Sequence, residues 1–241
     1  MESLVQQHQK TPGTCGIVPE LSSIISENID RYHVEHKVVC NIGCGSGPLI
    51  FDLINKGALE VHGIEPCTES LNKAKKSILE VGRYIPRVLH RIHLFPTNIE
   101  NFIKLTPCTK KFELIVCNAA QLPLPRPMDF FGEGAYFQGI DGLDMIRSIV
   151  EYLPRLLKRN GEMYIILTDL INKPLVLDLL DKKGFTTLKI DSKMIPFYRH
   201  CLEYQEIMDH LSDRLIHEDL DFYFKFSLYK VTFKDYHSKA R

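Results

Sequence analysis

The chain has 241 residues, 44% of them hydrophobic and 25% charged, with thirty basic side chains balancing thirty acidic ones. That length suits one large α/β domain and leaves little room for two. A net charge of zero removes the long-range field that draws a protein to nucleic acid or an anionic membrane, so neither is expected as a partner. No apolar run approaches the ~20 residues of a membrane span, and the opening MESLVQQHQK has no apolar signal core, so a cytoplasmic protein is expected.

From Pro19 the segment ELSSIISENIDRY places Leu21, Ile24, Ile25 and Ile29 on one face and predicts a leading helix within an N-terminal segment, residues 1–36. Residues 37–241 read as the domain proper. KVVCNIG is a short buried-strand pattern running into glycines, and PLIFDLINKG is a helix stopped by Gly57. Strand 60–65, helix 68–82 and strand 88–95 follow, then strand 112–118 and a loop rich in proline and glycine. A helix over 141–159 stops at Asn160-Gly161 before strand 162–168. A helix over 174–183 leads to the strand FTTLKID, and the chain closes on a strand at 224–233. Between the last two strands lies an insertion, 191–222, in which Ile207, Leu211 and Leu215 share a helical face that packs on the body. Strands alternating with helices imply a mostly parallel sheet covered on both faces.

The seven cysteines are an odd number scattered over strands and loops and read as reduced core residues. Cys40 and Cys44 have no second pair at zinc spacing, and His33 with His36 and His90 with His93 are isolated pairs, so no metal is expected.

The strongest chemical signal is Asn41-Ile42-Gly43-Cys44-Gly45-Ser46-Gly47, which follows the first strand and opens the next helix. Such a turn lets backbone approach a ligand closely, and the helix start presents unpaired N–H groups. A dinucleotide fingerprint starting at Gly43 needs glycine at position 48, where this chain has Pro48. Glu65 ends the second strand about 20 residues later, the position from which a carboxylate accepts hydrogen bonds from ribose hydroxyls.

The G-x-G-x-G spacing resembles the first motif of the class I methyltransferases. The resemblance implies a Rossmann-like three-layer α/β/α sandwich with a mostly parallel seven-stranded sheet and an antiparallel last strand, and S-adenosylmethionine as cofactor. It assigns Gly43, Cys44, Gly45 and Gly47 to the methionine and ribose end and Glu65 with Pro66 to the ribose. Asn98 with Ile99 goes to the adenine, although Asn98 is equally a turn residue. Asn41 stands where the motif has its leading acid, and its carbonyl oxygen can still accept one hydrogen bond.

At the end of the fourth strand, Cys117-Asn118-Ala119-Ala120-Gln121 occupies the place of the Asn-Pro-Pro-Tyr motif, and Gly139-Ile140-Asp141-Gly142-Leu143-Asp144 is similar to the G-G-x-D-G-L-D segment of HemK-type protein-glutamine methyltransferases. The likeness covers residues 37–190. In that family the asparagine side chain and the next carbonyl grip the acceptor nitrogen, which carries over to Asn118 and Ala119, with Asn118 also beside the cofactor. Two alanines lack the fixed φ that stiffens a Pro-Pro loop, so stiffness falls to Pro123 and Pro125. Gln121, a substrate-contact candidate, removes the aromatic wall that a flat base acceptor uses. Tyr136 and Asp141 are candidates for deprotonating an acceptor, and Asp141 is alternatively a helix N-cap. These readings put heteroatom methylation of a small molecule first, with an acceptor walled by 118–140 and 191–222. A protein glutamine is the alternative acceptor, and an inactive binding subunit of the same fold the reading of a different kind.

Overall fold

The computed structural model describes residues 19–106, 111–128, 137–197 and 201–235. In chain order the elements are α1 (Pro19–Asn28), α2 (Arg31–Val34), β1 (Val38–Ile42), α3 (Pro48–Asn55), β2 (Glu60–Ile64), α4 (Thr68–Tyr84), β3 (Ile92–Phe95), α5 (Ile99–Leu105) and β4 (Phe112–Cys117). They continue with α6 (Asp144–Leu156), β5 (Leu157–Thr168), α7 (Lys173–Lys182), β6 (Phe185–Pro196), α8 (Gln205–Leu211), β7 (Ile216–Glu218) and β8 (Asp221–Phe233).

The strands form one sheet in the order β3-β2-β1-β4-β5-β8-β6, with β7 paired to β8. β3 to β5 run parallel, and β8 inserts antiparallel between β5 and β6. The order reverses at β1, which lies between β2 and β4, so the crevice at the carboxyl ends of these strands is where an open α/β sheet takes its ligand.

Both faces of the central strands β1, β2, β4 and the second half of β5 are buried, which is why they read as continuous apolar runs, whereas β6 and β7 at the other edge are largely exposed. Successive residues alternate between layers: Tyr164 and Ile166 of β5 join the layer of α1, α3, α4 and α8, whereas Met163, Ile165 and Leu167 join that of α5, α6 and α7. α6 shows the helical counterpart, with Ile146, Ile149, Val150 and Leu153 buried along one stripe. Among the described residues no helix is long and apolar enough to cross a membrane.

Several boundaries differ from the sequence reading. The leading helix ends at Asn28 because Asp30 starts a new one, its Oδ1 accepting from the His33 N–H at 3.0 Å. Pro86 begins a 3₁₀ turn over Pro86–Val88, so β3 starts at Ile92 rather than at 88. α6 ends at Leu156, two residues past Pro154, and β5 begins at once; Asn160-Gly161 lies inside β5, where the register slips between Phe112↔Leu157 and Leu114↔Glu162. β6 runs on to Pro196, so the insertion starts within a strand and ends within β8. α5 was not anticipated, although Asn98 followed by Ile99, Phe102 and Ile103 carries both a cap and an i, i+3, i+4 apolar face.

Candidate active site

Gly43, Gly45 and Gly47 all hold positive φ, at 70°, 55° and 93°, so the segment after β1 can reverse and start α3 without steric strain. The N–H groups of Gly43 and Cys44 both donate to the Ile64 carbonyl, at 2.9 and 3.2 Å, which pins the turn to the end of β2. The Glu65 carboxylate closes the arrangement: Oε2 accepts from the Gly45 N–H at 2.9 Å and Oε1 from the Cys67 N–H at 2.8 Å. Burial raises the Glu65 pKa above the usual glutamate value, and these two backbone donors oppose the shift. Each oxygen keeps a second acceptor site for a hydroxyl donor. Pro66 beside it is exposed. The Cys44 thiol is buried, and burial pushes its pKa up, with Glu65 adding to the effect, so it remains a protonated packing group.

Asn41, under the turn on β1, is 1% exposed, and neither its Nδ2 nor its Oδ1 has a hydrogen-bond partner among the described residues. An unsatisfied buried polar group costs about 1–3 kcal/mol, which a ligand amine or carboxylate reaching this position would recover. The positive-φ glycines, the half-buried carboxylate and this buried amide fit the polar ends of S-adenosylmethionine. Asn98, expected at the adenine, is exposed and caps α5, its Oδ1 accepting from the Asn101 N–H at 2.9 Å, while Ile99 packs inward.

The end of β4 abuts the glycine turn. A Cβ added to Gly43 would lie 3.4 Å from the Ala119 Cα and 3.7 Å from the Asn118 carbonyl oxygen, ordinary contact distances that place the two segments side by side, and it is the φ of 70° that favours glycine there. Asn118 is half-buried, and its Nδ2 donates to Ser22 Oγ of α1 at 3.1 Å. The sequence reading missed Ser22, for which a hydroxyl on the inward shoulder of an amphipathic helix was the available signal.

Gln121 does not line an acceptor surface. Its side chain is buried at 6% exposure, and its Nε2 donates to the carbonyls of Ala119 at 3.2 Å and Ile166 at 2.6 Å. Its Oε1 accepts from the Thr168 N–H at 3.1 Å. The amide therefore bolts the Asn118–Ala119 corner to the end of β5, supplying the stiffness that the missing prolines do not. The 139–143 segment packs on the same corner: a Cβ on Gly142, whose φ is 72°, would stand 2.8 Å from the Gln121 carbonyl oxygen.

Asp141 is half-exposed and held by Arg147, whose Nη1 and Nη2 reach its two oxygens at 3.1 and 2.5 Å, and its Oδ1 accepts from the Leu143 N–H. The bond to Arg147 lowers its pKa below the usual aspartate value, which suits a fixed anion rather than a proton acceptor. Tyr136 lies outside the described residues. The insertion meets the segments between β4 and α6 directly: Arg126 makes a two-point ion pair with Glu206 of α8, at 2.6 and 3.1 Å, and the ring Nε2 of His210 lies 2.8 Å from the Ile140 carbonyl oxygen. One further grouping was not foreseen: His93, paired in sequence with His90, stands across the sheet from His62 and near Glu60.

The chain matches no protein-family model. It is 25% identical over 169 residues to a Methanocaldococcus jannaschii protein assigned as a protein N5-glutamine methyltransferase, a stretch covering 68% of this chain and 78% of that one. Among solved structures it is similar to a ribosomal protein L11 methylase from Lactobacillus delbrueckii, with a TM-score of 0.54 and 18% identity over 90% of this chain and 79% of the other. It is also similar to the E. cuniculi Mtq2–Trm112 complex responsible for methylation of the eRF1 translation termination factor, with a TM-score of 0.54 and 14% identity over 93% and 98%. The architecture is that of the class I S-adenosylmethionine-dependent methyltransferases.

Proposed function

We propose that this chain is an S-adenosylmethionine-dependent N-methyltransferase whose acceptor is the side-chain amide of a protein glutamine. The observation that carries the reading is the contact between the Asn118–Ala119 corner and the glycine turn, because it sets an amide-gripping corner beside the cofactor cradle. Sequence alone ranked a small-molecule acceptor first. A protein glutamine is placed first because a curated relative that aligns with 68% of this chain is assigned to glutamine, and because Gln121 faces inward rather than walling a small pocket.

S-adenosylmethionine supplies an electrophilic methyl on a sulfonium. The residues of the chain then have three tasks. Glu65 and the Gly45 segment hold the ribose end, and Asn41 receives the methionine end. Asn118 Oδ1 and the Ala119 carbonyl accept the two amide N–H bonds of the acceptor, which orients its nitrogen and raises its electron density; Ser22 fixes the Asn118 side chain, and Gln121 fixes the carbonyl. Methylation would break the sulfonium C–S bond, form the N–C bond and release one amide proton along its hydrogen bond to Asn118 Oδ1 or the Ala119 carbonyl and on to solvent, and positioning of the nitrogen supplies much of the barrier reduction. Arg126, Glu206 and His210 brace α8 against the loops that would flank the acceptor.

The test is calorimetric titration with S-adenosylmethionine and its demethylated product, followed by incubation with glutamine-containing peptides and mass spectrometry for one added methyl. Peptide methylation that disappears in Asn118→Ala, with cofactor affinity retained, supports the proposal. Cofactor binding without any glutamine product returns the small-molecule acceptor to first place. Absence of cofactor binding by the folded chain identifies an inactive binding subunit.

A further inference from the structure

The far half of β2 carries a group that methyl transfer does not use. Glu60 and His62 alternate onto one face of β2, and His93 is the direct register partner of His62 on the neighbouring β3. One ligand atom from each of the three lies within 4.8 Å of the other two. Glu60 Oε2 is 3.0 Å from His62 Nε2 and 3.7 Å from His93 Nε2. A tetrahedral zinc with bonds of about 2.0–2.1 Å holds its ligand atoms roughly 3.3 Å apart, so these separations close onto a metal with small movements of the two outer side chains.

The surroundings favour such closure. The His62 ring is fixed: it is 3% exposed, stacks on Phe95 with centroids 5.7 Å apart, and is flanked by Phe112 at 5.3 Å and His93 at 4.7 Å. Glu60 and His93 are only partly buried, which gives a cation and its water a route in. Two imidazoles and one carboxylate form the donor set of a borderline divalent metal, whereas calcium and magnesium call for oxygen ligands. The group sits at least three residues before Glu65 on the same strand, roughly 10 Å or more along β2 at ~3.3 Å per residue, and so lies apart from the cofactor cradle.

We propose that Glu60, His62 and His93 bind one zinc-class divalent cation, with water completing the shell. The metal clamps the edge strand β3 to β2 and so steadies the strand that leads into Glu65. The inference is independent of the acceptor and of methyl-transfer activity.

The experiment is titration of the full, tag-free, metal-stripped chain with Zn²⁺ against a chromophoric chelator, paralleled by Co²⁺ to read the visible absorption of a tetrahedral site. The expected result is one saturable equivalent per chain, a rise in melting temperature on loading, and a loss of affinity in both His93→Ala and Glu60→Gln that exceeds the roughly 10–100-fold cost of losing a mere outer-shell partner. His90→Ala, one turn of sequence away and exposed, should bind like wild type. Far-UV circular dichroism confirms that each variant is folded. Absence of a saturable equivalent in the wild-type chain leaves Glu60–His62 as a plain ion pair and overturns the proposal. Binding that survives both folded variants overturns it equally.

Discussion

Replacing Gln121 by methionine keeps the length of the side chain and removes its three hydrogen bonds, to Ala119, Ile166 and Thr168. The Thr168 N–H is the group most exposed to the loss, since it is a buried donor with one hydrogen, whereas each carbonyl retains a second lone pair. At about 1–3 kcal/mol for a stranded buried donor and a smaller loss at each carbonyl, the sum is about 2–4 kcal/mol. That is a large part of the 5–15 kcal/mol that ordinarily holds a domain together. Urea unfolding followed by far-UV circular dichroism reads the loss as a lower midpoint at unchanged slope. Gln121→Glu adds a test of sign. Its carboxylate would still accept from Thr168 but would face two carbonyl oxygens in a buried site, so its folded-state pKa is raised. A raised acid favours the fold only while protonated, so this variant should be closer to wild type near about pH 5 than near about pH 8. A methionine variant within about 0.5 kcal/mol of wild type, the scatter of an ordinary surface change, would refute the assignment of Gln121 as the bolt between β4 and β5.

Burial holds the Glu65 carboxyl above its usual range, and a ribose bound there would donate its hydroxyls to the ionised form. Cofactor affinity should therefore fall as pH is lowered through that raised pKa, and Glu65→Gln should weaken binding and flatten the pH profile in calorimetry. Asp141→Asn should leave the methylation rate within about twofold, because the carboxylate is committed to Arg147 and an exposed pair of this kind is worth about 0–1 kcal/mol; a large rate loss with a shifted pH profile would restore it as a base. Gly142→Ala should disrupt the acceptor corner, since its φ of 72° is strained for alanine and its new methyl would meet the Gln121 carbonyl oxygen at 2.8 Å. In steady-state assays that variant should raise the acceptor KM while leaving cofactor affinity near wild type.

Much of the architecture was legible because its signals are local. Glycines close the helices after Asn55 and Lys182, buried strands read as apolar runs, and the motif after β1 is contiguous. The boundaries that slipped did so where a tertiary pairing overrode local chemistry, as at Asn160-Gly161, which β4 draws into a strand. The site residues divide in the same way. The nearness of Glu65 to the glycine turn follows from its place after β2, but Gln121 acts on residues 45 and 47 positions away, and Ser22 reaches across 96. The pairing of His62 with His93 depends on the register of two strands. No window of sequence contains those relations.

Two of the departures from the motifs that the chain resembles, Asn41 and Gln121, have opposite physical outcomes, and this separates them experimentally. The Gln121 amide is satisfied within the chain, whereas the Asn41 amide is buried with no partner among the described residues. If Asn41 is kept for a ligand, the free protein bears its desolvation cost. Asn41→Leu should then raise the stability of the ligand-free protein by up to about 1–3 kcal/mol, the cost of an unmade buried hydrogen bond. The same variant should weaken S-adenosylmethionine binding, because the methionine end loses its partner. Opposite signs in the urea midpoint and the calorimetric affinity are the signature of a residue retained for binding. A variant that loses stability yet binds the cofactor as well as wild type would show that Asn41 serves the fold, and the methionine end would have to be held elsewhere.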